Sequence, residues 1–270
     1  MKPAYASTRR LEQGPGWEMH LGDSLAGLRS LADRSVDVVI TDPPYEAEAH
    51  TLQRRQKMSA AAARRYKRTS SVGVAETPLD FAPMTVELRD GICAEIGRVS
   101  RHRAVVFCQA EAVLLWRDAL DDGGLPYRRS IPWVKPDAMP SLHGRWPGQS
   151  YEAIVLAVRA GSTCPVGGKA VEYRMCREYR GTAEAPHPTT KPLALMRELI
   201  ADFTEPGDLV LDAFAGSGTT GVACLQLGRR FLGFELDPGY FEIACRRLRG
   251  DEARPRREQP GLFDALRSNA

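Results

Sequence analysis

The chain is predicted to be an α/β protein: a doubly wound, mostly parallel sheet of seven strands with an antiparallel edge strand. Three observations predict this. Short apolar runs alternate with stretches of helical period. Several runs end in an acidic or glycine-rich turn, which is where open parallel sheets keep their ligands. Two later runs follow one another with no helix between them, which makes them an antiparallel pair.

Residues 1–16 are polar and contain Gly and Pro, and read as a loose lead-in. Trp17–Leu21 is a strand closed by Gly22-Asp23-Ser24, and Leu25, Leu28 and Leu31 recur at helical spacing after it. The apolar run Val36–Thr41 is then a strand buried on both faces, which completes a right-handed crossover unit. Residues 46–80 form a long excursion, rich in Ala and Arg but lacking an apolar stripe. Met84–Val99 is an amphipathic helix, Ala104–Cys108 a buried strand, and Val113–Leu120 a helix closed by Gly123-Gly124.

The two consecutive strands are Arg128–Val134 and Ala153–Val158, and residues 160–186 after them have no clear period. His187-Pro188-Thr189-Thr190-Lys191-Pro192 opens a helix that runs through Phe203. Leu209–Leu211 is a strand, followed by a glycine-rich turn, a helix to Gly228, the strand Phe231–Glu235 and a helix from Tyr240 to Arg249. Residues 1–250 are thus expected to form one domain with an insertion at 46–80, and 251–270 a charged tail.

Composition narrows the class. The 270 residues are 43% apolar and 26% charged, as in an ordinary soluble globular domain. No apolar run approaches a membrane span, and MKPAYASTRR lacks the apolar core of a signal peptide, so a cytoplasmic location is expected. The six cysteines are scattered with no C-x-x-C pair and read as small core residues in a reducing compartment. His143 and His187 are isolated, and no metal site is expected. Net charge is only +3, yet Arg54, Arg55, Lys57, Arg64, Arg65, Lys67 and Arg68 crowd one acid-free stretch. Such a surface fits a polyanion, although many such runs are solvated helix faces.

Two stretches carry chemistry. Asp42-Pro43-Pro44-Tyr45 leaves the strand Val36–Thr41 in a stiff turn, since neither proline can donate to a ladder. It gathers a carboxylate, fixed carbonyls and an aromatic ring, a set suited to a flat ring bearing an amine. The second stretch is Asp212-Ala213-Phe214-Ala215-Gly216-Ser217-Gly218-Thr219-Thr220, between a strand and a helix. Strand, glycine-rich turn, helix, strand and then an acid, here Glu235, is the arrangement that binds a nucleoside-bearing cofactor.

Gly216, Gly218 and Gly221 also satisfy G-x-G-x-x-G, so an NAD-dependent oxidoreductase is a competing reading. Thr219 and Thr220 argue against it, because hydroxyls there suit a small carboxylate better than a pyrophosphate. Asp23 and Asp42 also have no evident use in a dehydrogenase. A catalytically silent DNA-binding protein is the third reading.

D-P-P-Y, H-P-T-T-K-P and D-A-F-A-G-S-G-T-T together resemble the amino-group DNA methyltransferases. Their order, catalytic motif first and cofactor loop last, resembles the circularly permuted β-class. The resemblance covers residues 16–45 and 85–249 and implies a Rossmann-like methyltransferase fold using S-adenosyl-L-methionine, with double-stranded DNA as partner. It implies that Asp212, Phe214, Ala215, Gly216, Ser217, Gly218, Thr219 and Thr220 form the cofactor loop, with Lys191 near the cofactor's carboxylate. Glu235 would bind the ribose and Asp23 the adenine amino group. Asp42, Pro43, Pro44 and Tyr45 would hold a flipped-out target base, and the basic residues between Arg54 and Arg68 would meet phosphates.

Aspartate at the head of the catalytic motif favours adenine N6, and cytosine N4 is the alternative. Ala213 and Thr190 depart from the family's commoner proline and glutamine. The segment 160–186 is short for a recognition region, which shifts sequence reading toward residues 46–80 or a second subunit. A homodimer is compatible with the resemblance. Trp133, Lys135 and Trp146 are placed near the same sheet edge, as base-pocket or core residues.

Overall fold

The computed structural model describes residues 10–45, 84–136, 138, 147–175 and 191–251. The basic stretch from Arg54 to Arg68, together with His143, Trp146, Cys176, His187, Thr190 and residues 252–270, lies outside the described residues.

The strands are β1 (Arg10–Gly14), β2 (Trp17–Leu21), β3 (Val36–Thr41), β4 (Ser100–Cys108), β5 (Tyr127–Val134), β6 (Tyr151–Val158), β7 (Tyr173–Arg174), β8 (Leu209–Asp212) and β9 (Arg230–Glu235). The helices are α1 (Ser24–Ser30), α2 (Val86–Val99), α3 (Val113–Asp122), α4 (Leu193–Phe203), α5 (Thr219–Gln226) and α6 (Pro238–Arg249).

All nine strands join one sheet in the order β1-β2-β9-β8-β3-β4-β6-β5-β7. Its centre, from β2 through β9, β8 and β3 to β4, is parallel. β6 runs antiparallel to both β4 and β5, as the missing crossover helix required.

The strand count corrects the expected seven. Arg10–Gly14, read as lead-in, pairs antiparallel with β2 as an edge strand, and Tyr173–Arg174 pairs parallel with β5 at the other edge. Both are polar or very short, so neither carries an apolar pattern.

The central strands are apolar on both sides because helices cover both sides. Val105 and Phe107 of β4 point into a core with Leu195, Leu199 and Phe203 of α4 and Phe241 and Leu248 of α6. Their neighbours Ala104, Val106 and Cys108 point the other way, onto Ile92 and Ile96 of α2 and Trp116 and Leu120 of α3. This alternation is the period-two signature of a pleated strand.

Cap chemistry sets the helix ends. Thr85 accepts from Leu88 N at the start of α2, and Asp237 accepts from Tyr240 N ahead of α6. Where α2 nears the end of α3 the backbones almost touch, so that a Cβ on Gly97 would lie 1.9 Å from the Gly123 carbonyl oxygen. Cys93, Cys108, Cys224 and Cys245 are free and buried, and Cys164 is half-buried. Among the described residues no helix is long and apolar enough to cross a membrane.

Chain order places the crevice. From β3 the chain crosses through α2 to β4 on one side, and from β8 through α5 to β9 on the other. The two crossovers diverge from the β3/β8 pair, and that divergence opens a gap at the carboxyl ends of the strands.

Candidate active site

Seven strand ends line the carboxyl edge in spatial order. Across it lie Asp23 after β2, Glu235 on β9, Asp212 and the glycine-rich turn on β8, and Asp42 after β3. Beyond these come Cys108 closing β4, Glu152 at the start of β6 and Lys135 after β5. Because β6 is antiparallel, its first residues, not its last, reach this edge. Thus the two motifs, 170 positions apart at Asp42 and Asp212, arrive on neighbouring strands through the register Val38↔Val210 and Val39↔Leu211.

Asp212 ties the two together. Its Oδ1 accepts from Thr41 Oγ1 at 2.7 Å and from the Phe214 amide at 3.0 Å, and its Oδ2 accepts from Thr220 Oγ1 at 2.7 Å. The carboxylate is 2% exposed, so it braces the end of β3 against the glycine-rich loop from beneath. Burial pushes its pKa up to about 6, with the three hydrogen bonds opposing.

The loop is shaped by two glycines with left-handed φ, Gly216 at 51° and Gly218 at 78°. A Cβ on Gly218 would sit 2.9 Å from Ala244 Cβ, whereas one on Gly216 would meet nothing within 4 Å. The loop is therefore packed below and open at Gly216. Gly221, the third glycine of the pattern, lets α5 close on the sheet: a Cβ there would lie 2.6 Å from Phe231.

The loop hydroxyls are engaged within the protein. Arg247 of α6 donates to Ser217 O at 2.7 Å, Ser217 Oγ at 3.1 Å and Thr219 Oγ1 at 3.0 Å, while Thr220 serves Asp212. Thr219 and Thr220, expected at the methionyl part of the cofactor, thus also fasten the loop. Nothing in the spacing of the sequence pointed to Arg247.

Glu235 Oε2 accepts from the Gly216 amide at 2.7 Å and Oε1 from the Asp237 amide at 2.8 Å, and burial raises its pKa. Each oxygen keeps a lone pair for a further donor. Beside it Leu236 is 60% exposed and supplies an apolar wall. Asp23 caps α1, its Oδ1 accepting from Ala26 N at 2.8 Å, and it is exposed. The β2 turn is joined to this part of the crevice, since Gly22 N donates to Glu235 O and Ser24 Oγ to Ala213 O.

The Asp42–Tyr45 turn holds a charged cluster. Lys191 Nζ lies 2.6 Å from Asp42 Oδ2 and 3.3 Å from Glu152 Oε2. Glu152 Oε1 pairs in turn with Lys135 Nζ, and the Tyr45 hydroxyl donates to Glu152. Two carboxylates and two ammonium ions cancel, which is what buried charges require. Around Lys191 stand the rings of Phe107, Tyr45 and Trp133, 5.0, 5.7 and 5.7 Å from Nζ.

Asp42 Oδ1 and Glu152 Oε2 are buried and have no hydrogen-bond partner among the described residues, though the latter keeps its ion pair with Lys191. Burial raises the Asp42 pKa against the pull of Lys191, and burial raises Tyr45 well above 10.0, so it stays a phenol. Burial alone would raise Glu152, but Lys191 and Lys135 outweigh it and hold it at about 2. Lys191 is raised because Asp42 and Glu152 together overcome its own desolvation.

Lys191, expected beside a cofactor carboxylate, has its ammonium shared by Asp42 and Glu152. Trp133 is a core ring, 2% exposed, edge-on to Phe107 and donating to Met175 O at 3.2 Å. Lys135 does reach the cluster. Glu152 was missed, although a lone acid heading the apolar strand Tyr151–Val158 was a usable signal.

Comparison with known proteins gives a consistent picture. A family model described as DNA methylase (N6_N4_Mtase) matches residues 36–246. The type II methyltransferase M.Cfr9I of Citrobacter freundii is 29% identical over 261 residues, covering 86% of this chain and 87% of that protein. The type II methyltransferase M.XycI of Xanthomonas campestris pv. cyanopsidis is 35% identical over 147 residues, 50% of this chain and 48% of its own. The crystal structure of the M1.HpyAVI–SAM complex superposes with a TM-score of 0.61 at 28% identity, covering 86% of this chain and 98% of that one. PvuII DNA methyltransferase, cytosine-N4-specific, has a TM-score of 0.66 at 16% identity over 94% and 93% of the two chains, a likeness of fold alone.

Proposed function

The chain belongs to the N6/N4 DNA methylase family, and from that premise we propose that it methylates adenine N6 of double-stranded DNA. The methyl donor is S-adenosylmethionine, which supplies an electrophilic methyl carbon when bound. The observation that carries the reading is Asp42: a carboxylate whose buried Oδ1 is unpaired among the described residues, one strand away from a glycine-rich loop open at Gly216.

The residues present fit the donor. Gly216, the turn after β8 and Phe214 offer backbone and ring to its methionyl part, Glu235 offers acceptors for ribose hydroxyls, and Leu236 an apolar face. Asp23, exposed at the end of β2, is the acceptor for an exocyclic amine.

The exocyclic nitrogen of a nucleobase is a weak nucleophile because its lone pair is delocalised into the ring. Asp42 Oδ1 accepts one of its hydrogens and the Pro43 carbonyl the other, which draws the nitrogen out of conjugation and orients the lone pair. Pre-placed acceptors of this kind lower the barrier by orientation and by electrostatics, without reorganising as charge develops. Asp42 takes the surplus proton as that charge appears, and its raised pKa suits it to do so. The target atom is inaccessible inside a duplex, so the base leaves the stack; Tyr45 offsets part of an unstacking cost of a few kcal/mol by stacking in its place.

The test is incubation of DNA with the protein and isotope-labelled S-adenosylmethionine, followed by mass identification of the modified nucleoside. N6-methyladenine is expected. N4-methylcytosine would overturn the choice of base, and no incorporation would overturn the activity.

A further inference from the structure

We propose that Glu152 is a positioning residue of the transfer, holding the Lys191 ammonium so that Asp42 is released to the substrate amine. The proposal rests on the reading of function above and concerns the same pocket. Asp42 has two conflicting needs. It must stay ionised in a half-buried place, which favours a cation beside it, and it must receive an amine hydrogen, which a cation clamped on it opposes.

Lys191 meets the first need at 2.6 Å from Oδ2. Glu152 meets the second, because its Oε2 lies 3.3 Å from the same ammonium and offers it another anion. As the amine draws on Asp42, the ammonium shifts its weight toward Glu152 and remains neutralised throughout.

Glu152 is built for that office. It heads β6 opposite Trp133 of β5, and its Oε1 is anchored by Lys135. The Lys135 backbone is in turn fixed by donation to Ser150 O at 2.7 Å. Tyr45, the stacking ring of the catalytic turn, donates to it as well, so the carboxylate also steadies the ring. Its path to the chemical step runs through Lys191.

The test is steady-state methylation of duplex DNA by the full chain, comparing wild type, Glu152→Gln, Lys191→Met and the double variant. Glu152→Gln keeps the shape and removes the charge. It is expected to lower kcat about tenfold or more while KM for S-adenosylmethionine stays within about twofold, the mark of an orientation defect. In the Lys191→Met background the same change is expected to cost less than about twofold, since the group it acts through is gone.

Wild-type kcat in Glu152→Gln, or penalties that multiply in the double variant, would overturn the proposal. Should Glu152→Gln not fold, the same cycle with Glu152→Asp decides by the same criterion. Absence of methyl transfer by the wild type strikes the functional reading itself; labelled DNA with an indifferent Glu152→Gln strikes this proposal alone.

Discussion

Lys191 and Asp42, 149 residues apart, meet as a 2.6 Å ion pair at the mouth of the β3/β8 crevice. The pair sets the charge on the group expected to receive the substrate amine, and it defines the first prediction. Asp42→Asn keeps the side-chain shape but removes the anion, and it should lower methyl transfer by about a hundredfold or more. Binding of S-adenosylmethionine, measured by calorimetry, should change little, because the cofactor crevice lies on the neighbouring strands.

Glu152 yields a statement about acid. Its folded pKa of about 2 lies below its ordinary 4.5, so the folded state holds fewer protons than the unfolded one as pH falls through this window. Its contribution is complete above pH 4.5 and is lost toward pH 2. Glu152→Gln should therefore flatten the loss of melting temperature between pH 5 and 3, as read by a circular dichroism melt at each pH. An unaltered slope would contradict the pairing with Lys191 and Lys135.

Asp212 behaves in the opposite sense. Its folded pKa of about 6 lies above its ordinary 3.8, so its contribution is fully present below pH 3.8 and is lost as pH rises through 6. Asp212→Asn, neutral at every pH, should gain relative to wild type on moving from pH 5 to pH 8. The gain should be about 1.4 kcal/mol, the part of the shift that falls above pH 5. Chemical denaturation at both values measures it.

Arg247 holds the glycine-rich loop by one guanidinium nitrogen whose two hydrogens are shared among three oxygens. Arg247→Met keeps much of the stem and removes the donors. Bonds from a charged donor are worth about 1.5–3 kcal/mol each in stability, and part of that is set here in loop order. Affinity for S-adenosylmethionine should fall about tenfold, equivalent to ~1.4 kcal/mol, with a far smaller effect on turnover at saturation.

Gly97→Ala tests packing far from the crevice. The added carbon would lie 1.9 Å from the Gly123 carbonyl oxygen, a backbone atom that cannot rotate away. Overpacking of this kind costs about 1–3 kcal/mol, so the melting temperature should drop by several degrees while KM values stay put.

Much of this site was legible in the sequence, for a physical reason. Strands buried on both faces read as continuous apolar runs, so Val36–Thr41 announced itself and put Asp42 at its end. The glycine-rich turn was equally plain, because positive φ at Gly216 and Gly218 leaves few other residue choices. The antiparallel β5/β6 pair followed from the lack of a crossover helix.

What stayed hidden depends on partners distant in the chain. Lys191 could be placed in the crevice, but its counter-ions are fixed by the register of β6 against β4 and β5. Arg10–Gly14 is mostly exposed and becomes a strand only through β2. Arg247 lies on a helix whose apolar face gives no hint of what its polar edge touches.

The seam between β3 and β8 has a consequence for biosynthesis. During translation the strand 36–41 and the Asp42–Tyr45 turn are made long before residues 209–235, which supply one of its two neighbours and the half proposed to hold the cofactor. Until then one edge of β3 lacks its ladder partner, and such an edge is sticky toward other chains. A product that stops short of residue 209 therefore lacks β8 and β9, and with them the glycine-rich loop beside β3.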